Sequence, residues 1–255
     1  MRHPVSCFQI ILCTRCERAL WLQHDVNRRT VGMRSRMSAF ADTGHRLNDI
    51  PLTSGDYAAA TTYLSSLDTD WANLIELTGP CTHRPRPERE PYEALMRAVA
   101  YQQLHVKAGD AILGRLLAMN NGLMPTPEQL LTLDMEALRG CGFSVRKIET
   151  LRGIATGALC GLVPDRATAE RLSDDDLIQG LTGLRGIGRW TVEMLLIYTL
   201  NRMDILPTDD FGVRDGYRRL KTLNQTPSPR QMQQLGEAWQ PYRTVAAWYL
   251  WRVPR

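Results

Sequence analysis

A chain of 255 residues with 44 % apolar composition can bury one core or two small ones, and its apolar residues come in short runs such as Met194 to Tyr198. That excludes membrane-spanning segments, which need about 20 consecutive apolar residues, and a chain too polar to fold. The formal charge of +4 is no signature of a nucleic-acid partner: the first 49 residues hold eight arginines against four acids, which leaves 23 basic and 23 acidic residues for the remainder.

Residues 1–49 show no sustained helical or strand period. They are expected to be a disordered tail or the result of a mis-assigned start, with Met33 or Met37 as alternatives; a transit peptide fits less well because acids are interspersed. One domain is expected over residues 50–255. Ser54 is placed to cap a helix over Tyr57 to Leu67, and a second helix over Asp70 to Leu77 should stop at Gly79-Pro80. Thr82 to Pro87 reads as a proline-rich loop. Pro91 opens a helix whose apolar residues Leu95, Met96, Val99 and Ala100 recur at helical spacing, and the next, about Val106 to Ala118, should bury Ile112, Leu113, Leu116 and Leu117. Thr126-Pro127-Glu128 and Asp134-Met135-Glu136 start two short helices. Ser144 caps a longer one to about Leu159, and Asp165 and Ser173 introduce two more. Further helices are expected over Thr191 to about Leu200, Phe211 to Lys221, from Ser228-Pro229, and over Pro241 to Arg252. No segment alternates over four residues between turn signals. The expected fold is all-α, a two-lobed bundle of about ten helices with a cleft between the lobes.

Six cysteines stand at 7, 13, 16, 81, 141 and 160. Cys13-Thr-Arg-Cys16 has the spacing of half a zinc site, but no second ligand pair follows, so no metal is expected. Without a secretory signal the cysteines are expected to be reduced and intracellular.

The most informative stretch is Leu184-Arg185-Gly186-Ile187-Gly188-Arg189-Trp190-Thr191. Two glycines around one apolar residue allow a tight turn between helices, and the N–H groups opening the second helix can approach an anion such as a nucleic-acid phosphate. Asp210, in Pro207-Thr208-Asp209-Asp210-Phe211, follows Trp190 by twenty residues. One helix of roughly three turns and a short loop fit that interval and bring the chain back to the hairpin. On residue type alone, either aspartate could simply cap the next helix, and Gly-Ile-Gly could be an ordinary turn.

Together these segments resemble the helix-hairpin-helix DNA glycosylases, and within them the DNA-3-methyladenine glycosylase II branch, over residues 54 to 252. Trp239-Gln240-Pro241-Tyr242-Arg243, with Trp251 following, is similar to the C-terminal helix of that branch, whose last tryptophan lines the base pocket. Tyr101-Gln102-Gln103-Leu104-His105-Val106-Lys107-Ala108 is similar to the helix break from which the family pushes a side chain into the DNA stack. The resemblance implies that Asp210 is the catalytic carboxylate, with Asp209 as cap or support. Trp190, Trp251 and Tyr101 would wall the base pocket, with Trp248 a further candidate. Gly186, Ile187, Gly188, Arg189 and Thr191, with Gln103, Leu104 and His105, would contact DNA. Arg214, Arg218, Arg219 and Arg243 would touch phosphate or pair with surface acids.

The chemistry follows from the same residue types. Breaking an N-glycosidic bond builds positive charge on the sugar, which a carboxylate near C1′ stabilises. The base must leave the stack at a cost of a few kcal/mol, and the gap must be filled. An alkylated purine is cationic, and an indole face attracts cations. Trp190 stands where lyase-competent relatives, such as endonuclease III and 8-oxoguanine glycosylase, carry a lysine that attacks the sugar. The only lysines here are Lys107, Lys147 and Lys221, none in the helix after the hairpin, and arginine stays protonated. A monofunctional glycosylase leaving an abasic site is implied, compact, with no β-rich domain ahead of residue 54 and no iron–sulfur loop after Cys160. It is expected to act as a monomer on double-stranded DNA without a cofactor, in the bacterial cytoplasm at the nucleoid or in a eukaryotic nucleus. Two alternatives remain at this point: a non-catalytic helix-hairpin-helix DNA-binding module, which has no use for Asp210 or Trp251, and a glycosylase for oxidised or deaminated bases.

Overall fold

The computed structural model describes residues 54–255; the expectations for residues 1–49, including the Cys13 and Cys16 pair, lie outside them. The described residues form thirteen α-helices and one 3-10 turn, without a strand. In chain order these are α1 (Ser54–Ser65), α2 (Thr69–Thr78), α3 (Pro91–Tyr101), α4 (Val106–Ala118), α5 (Pro127–Thr132), α6 (Met135–Gly140) and α7 (Val145–Leu159). They continue with α8 (Arg166–Arg171), α9 (Asp174–Leu181), α10 (Arg189–Tyr198), α11 (Phe211–Leu220), α12 (Pro229–Leu235), the 3-10 turn (Gly236–Trp239) and α13 (Arg243–Leu250). None is long and apolar enough to cross a membrane.

Side-chain caps explain why the bundle is cut into so many short helices. Asp68, Thr126, Asp134, Ser144, Asp165, Ser173, Asp210 and Ser228 each accept a hydrogen bond from a backbone N–H in the first turn of the helix that follows. Each such bond satisfies a donor that the helix itself cannot. Thr126 and Ser228 complete reciprocal capping boxes with Gln129 and Gln231. Helix ends differ from expectation by a few residues: α10 starts at Arg189 rather than Thr191, and α13 at Arg243 rather than Pro241, whose peptide with Gln240 is cis.

Two apolar cores result. One is built from α3 to α10 and includes Leu95, Leu116, Leu151, Ile154, Val192 and Leu196; the other joins α1 and α2 to α11–α13 through Leu64, Trp71, Val213, Met232 and Tyr249. The chain thus starts in one lobe, builds the other, and returns. The return is abrupt, since Ile205 belongs to the first core and its neighbour Leu206 to the second. Trp251 packs against both. Within the second lobe α11 and α13 cross at Gly216, where a Cβ would overlap the Leu250 carbonyl oxygen.

Candidate active site

Asp210 is the N-cap of α11, so it is Asp210 rather than Asp209 that starts the helix. Its Oδ1 accepts from the Val213 N–H at 2.9 Å and from Trp251 Nε1 at 3.0 Å. Its Oδ2 accepts from Trp190 Nε1 at 2.8 Å. The capping bond sets the carboxyl group at the mouth of α11, and the two indoles, one from each end of the motif, fix its rotation. Asp209 is exposed, as is Phe211 on the other side. Capping does not use up the carboxyl group: Oδ2 is not engaged by the helix and, among the described residues, accepts only from Trp190.

Trp190 extends from the first turn of α10, 43 % exposed, while Trp251 is half-buried at the end of α13. Trp251 stacks on Tyr198, with centroids 6.4 Å apart and planes at 21°. Behind Tyr198 lies His83, at 5.1 Å between centroids, with its Nε2 3.2 Å from the Ile197 carbonyl oxygen and Tyr57 against its edge. Burial holds the His83 imidazole below its usual range and pushes the Tyr198 phenol up. The proline-rich loop is therefore part of the site's support: besides His83, it supplies the Arg86 N–H, which donates to the Tyr198 carbonyl at 2.6 Å.

The hairpin precedes α10. Gly186 has φ 87°, and a Cβ there would overlap Thr150 Oγ1 of α7, so both backbone conformation and space demand glycine. Gly188 has an ordinary φ and open space around it; the missing side chain there leaves room for something outside the protein. The amides of Gly188, Arg189 and Trp190 have no intramolecular acceptor among the described residues. Unpaired donors at a helix start are an anion site.

Burial leaves two of the hairpin residues only their backbone to offer to DNA. Ile187 is 4 % exposed and part of the first core, and Thr191 is equally enclosed, so neither side chain reaches the surface. Arg189 is half-exposed and paired: its Nε donates to Glu193 Oε1 at 2.8 Å. Glu193 is buried on α10, and burial together with the negative charges of Asp209 and Asp210 pushes its carboxyl up, against the pull of Arg189. Its Oε2 has no hydrogen-bond partner. It borders an open cavity of about 740 Å³, lined also by Asp174, Arg202, Asp204 and Arg243, which contains neither Asp210 nor the two site tryptophans.

The remaining candidates divide. Trp248 is core, 4 % exposed, with the Arg252 guanidinium 3.6 Å above its ring. Tyr101 is not brought to Asp210; its hydroxyl donates to Asp110 Oδ1 at 2.5 Å and its ring lies across Gly109. Gln103, Leu104 and His105 are exposed between α3 and α4, Gln103 at φ 57°. Arg218 and Arg219 pair with Asp215, Arg243 with Asp204, and Arg214 donates to the Pro227 carbonyl.

Residues 96–241 match the family described as HhH-GPD superfamily base excision DNA repair proteins. The chain belongs to that family. DNA-3-methyladenine glycosylase 1 of Schizosaccharomyces pombe is 48 % identical over 200 residues, spanning 77 % of this chain and 87 % of the relative. The solved structure of the Schizosaccharomyces pombe 3-methyladenine DNA glycosylase, in complex with abasic DNA, has a TM-score of 0.70 at 49 % identity over 76 % of this chain and 95 % of that one. A DNA-3-methyladenine glycosidase from Bacillus halodurans has a TM-score of 0.69 at 33 % identity, covering 76 % of this chain and 88 % of that chain. As an HhH-GPD protein the chain thus has the all-helical scaffold that its hairpin suggested. Tyr198, His83 and Glu193 are the residues around this HhH-GPD site that sequence reasoning missed. For Tyr198 a signal existed, since it lies two turns beyond Trp190 on α10; for His83, in a loop over a hundred residues from its partner Ile197, none did.

Proposed function

We propose that this chain is a monofunctional DNA glycosylase that releases alkylated purines of the 3-methyladenine and 7-methylguanine type from duplex DNA by hydrolysis, leaving an abasic site. One observation carries the reading: a single carboxylate, Asp210, is oriented by the indole N–H groups of two tryptophans, Trp190 and Trp251. Their edges hold the carboxylate, which leaves the exposed Trp190 ring and the face of Trp251 away from Tyr198 to be offered to a base. A nucleotide flipped from the duplex and seated against those faces would present its C1′ to Asp210, whose negative charge stabilises the oxocarbenium-like sugar as the base departs. The unpaired amides opening α10 are suited to a phosphate of the same strand. The names of the relatives support the substrate class. The partner proposed is double-stranded DNA bound by one copy of the chain, in the compartment that holds the genome.

The absence of an amine from the site favours hydrolysis over strand cleavage. Lys147 Nζ donates to the Ala100 carbonyl at 3.0 Å, Lys221 Nζ is held between Asp68 and Asp70, and Lys107 lies on the exposed side of α4. Side-by-side assays on methylated, oxidised and uracil-containing duplexes test the proposal. Release is expected from methylated DNA, with the strand intact until heat or alkali is applied. Borohydride trapping of a protein–DNA adduct, or preferential release of oxidised bases or uracil, would overturn it.

Trp251 separates charge recognition from packing. Trp251→Leu removes the N–H bond to Asp210, a loss common to every base, and the indole face, a loss specific to cations. Release of 7-methylguanine should therefore fall about 2- to 30-fold further than release of neutral hypoxanthine, the range of a cation–π contact. Equal losses for both bases would show that the ring is only a wall.

A further inference from the structure

α3 ends at Tyr101 and α4 starts at Val106. The break between them is tied down more firmly than an exposed connection needs. Lys147 of α7 donates to the Ala100 carbonyl at its base, and Tyr101 bonds to Asp110 on α4. Gln102, the first residue of the break, reaches elsewhere: its Nε2 donates to the Gly186 carbonyl in the hairpin, 84 residues away, at 3.1 Å. Among the described residues this is the only hydrogen bond joining residues 102–105 to residues 184–190. The acceptor residue is closely specified: Gly186 has φ 87°, which other residues avoid, and lies too close to Thr150 for a Cβ. Immediately after Gln102 the chain turns through Gln103 at φ 57°, and the Leu104 N–H closes the turn onto the Tyr101 carbonyl at 3.1 Å. Gln103, Leu104 and His105 project from this turn into solvent.

We propose that Gln102 is a positioning residue that sets the separation between the segment entering the DNA gap and the hairpin gripping the phosphate. This rests on the reading of residues 103–105 as the gap-filling segment. A flipped nucleotide is held at two points, by the hairpin on its backbone and by whatever occupies its place in the stack. The register between those points determines whether the sugar arrives at Asp210. Gln102 joins the two elements through one amide. The bond is solvent-exposed, so its worth to the fold is small, and its effect is on geometry.

The test compares two substrates. One is a duplex with 7-methylguanine in a normal pair; the other carries the same lesion in a single-nucleotide bulge, where no partner base is left behind. Gln102→Met keeps the length of the side chain and removes the donor. Single-turnover release at saturating enzyme should fall about fivefold on the paired lesion, the size of one net hydrogen bond, and stay within about twofold on the bulge, with Tm unchanged. Gln102→Glu, which sets an acceptor against the Gly186 carbonyl, should do the same or more. An equal loss on both substrates, or a lowered Tm, would make Gln102 structural and overturn the proposal. A Gln103→Ala, Leu104→Ala, His105→Ala triple variant is measured alongside. If it slows release from the paired lesion while Gln102→Met does not, the coupling is wrong and gap filling stands. If the triple variant changes nothing, the gap-filling reading fails and the proposal falls with it.

Discussion

Asp210→Asn is expected to reduce base release by at least about 100-fold, the scale of removing one preorganised electrostatic group from a reacting centre, with duplex binding and thermal stability nearly unchanged. Asparagine caps helices as well as aspartate does, so the bond from the Val213 N–H survives and α11 still starts where it should. The amide nitrogen must then face one of the two indole N–H groups, donor against donor. If it takes the Oδ2 position, Trp190 loses its acceptor but is exposed enough for water to replace it. What cannot be replaced is the negative charge opposite the developing cation. Single-turnover release and gel-shift affinity for an abasic duplex, measured on the same preparation, check this. Near-normal turnover would remove Asp210 from the chemistry and leave it a helix cap; a collapse of Tm would show that the cap, not the charge, was being measured.

The second large effect is on the scaffold. Gly216→Ala should destabilise the protein by about 3 kcal/mol, at the upper end of overpacking costs because the obstacle is backbone, which for roughly 200 folded residues is a fall in Tm of about 6–12 °C. A Cβ at position 216 would overlap the Leu250 carbonyl oxygen, and neither α11 nor the end of α13 can yield locally. The relief available is to push the two helices apart. Because Asp210 caps one and Trp251 follows the other, the hydrogen bond between them should lengthen and activity fall at temperatures where the variant is still folded. Gly153→Ala is the control: it lies inside α7 with open space around it and should stabilise by about 0.5–1 kcal/mol. A calorimetric scan of both variants decides, and a Gly216→Ala protein as stable as the parent would show that the crossing is looser than its geometry implies.

The helices were legible because their starts are local. Residues such as Ser144, Asp165 and Ser228 act on backbone groups three positions away, and that information is contained in a short window of sequence. The meeting of Trp190 with Asp210 was legible through spacing, since one helix and one short loop leave little freedom over twenty residues, whereas Trp251 was singled out by resemblance alone. What escaped was everything decided across long separations. Nothing near Ile187 or Thr191 says that the hairpin turns those side chains inward, into the core. Nor does anything near Tyr101 say that its hydroxyl donates to Asp110 on the next helix. Glu193 looked like one polar residue on a helix; only the fold encloses it with Arg189 and beneath the two aspartates.

Trp251 belongs to the packing of both lobes and bonds to the Asp210 carboxylate. The joint between the lobes and one of the three hydrogen bonds that aim Asp210 therefore share one indole ring. Shear between the lobes that turns this ring would strain its bond to Asp210, while the bonds from Val213 and Trp190 oppose the rotation. Packing of the lobes and aim of the carboxylate are thus coupled mechanically through a single side chain.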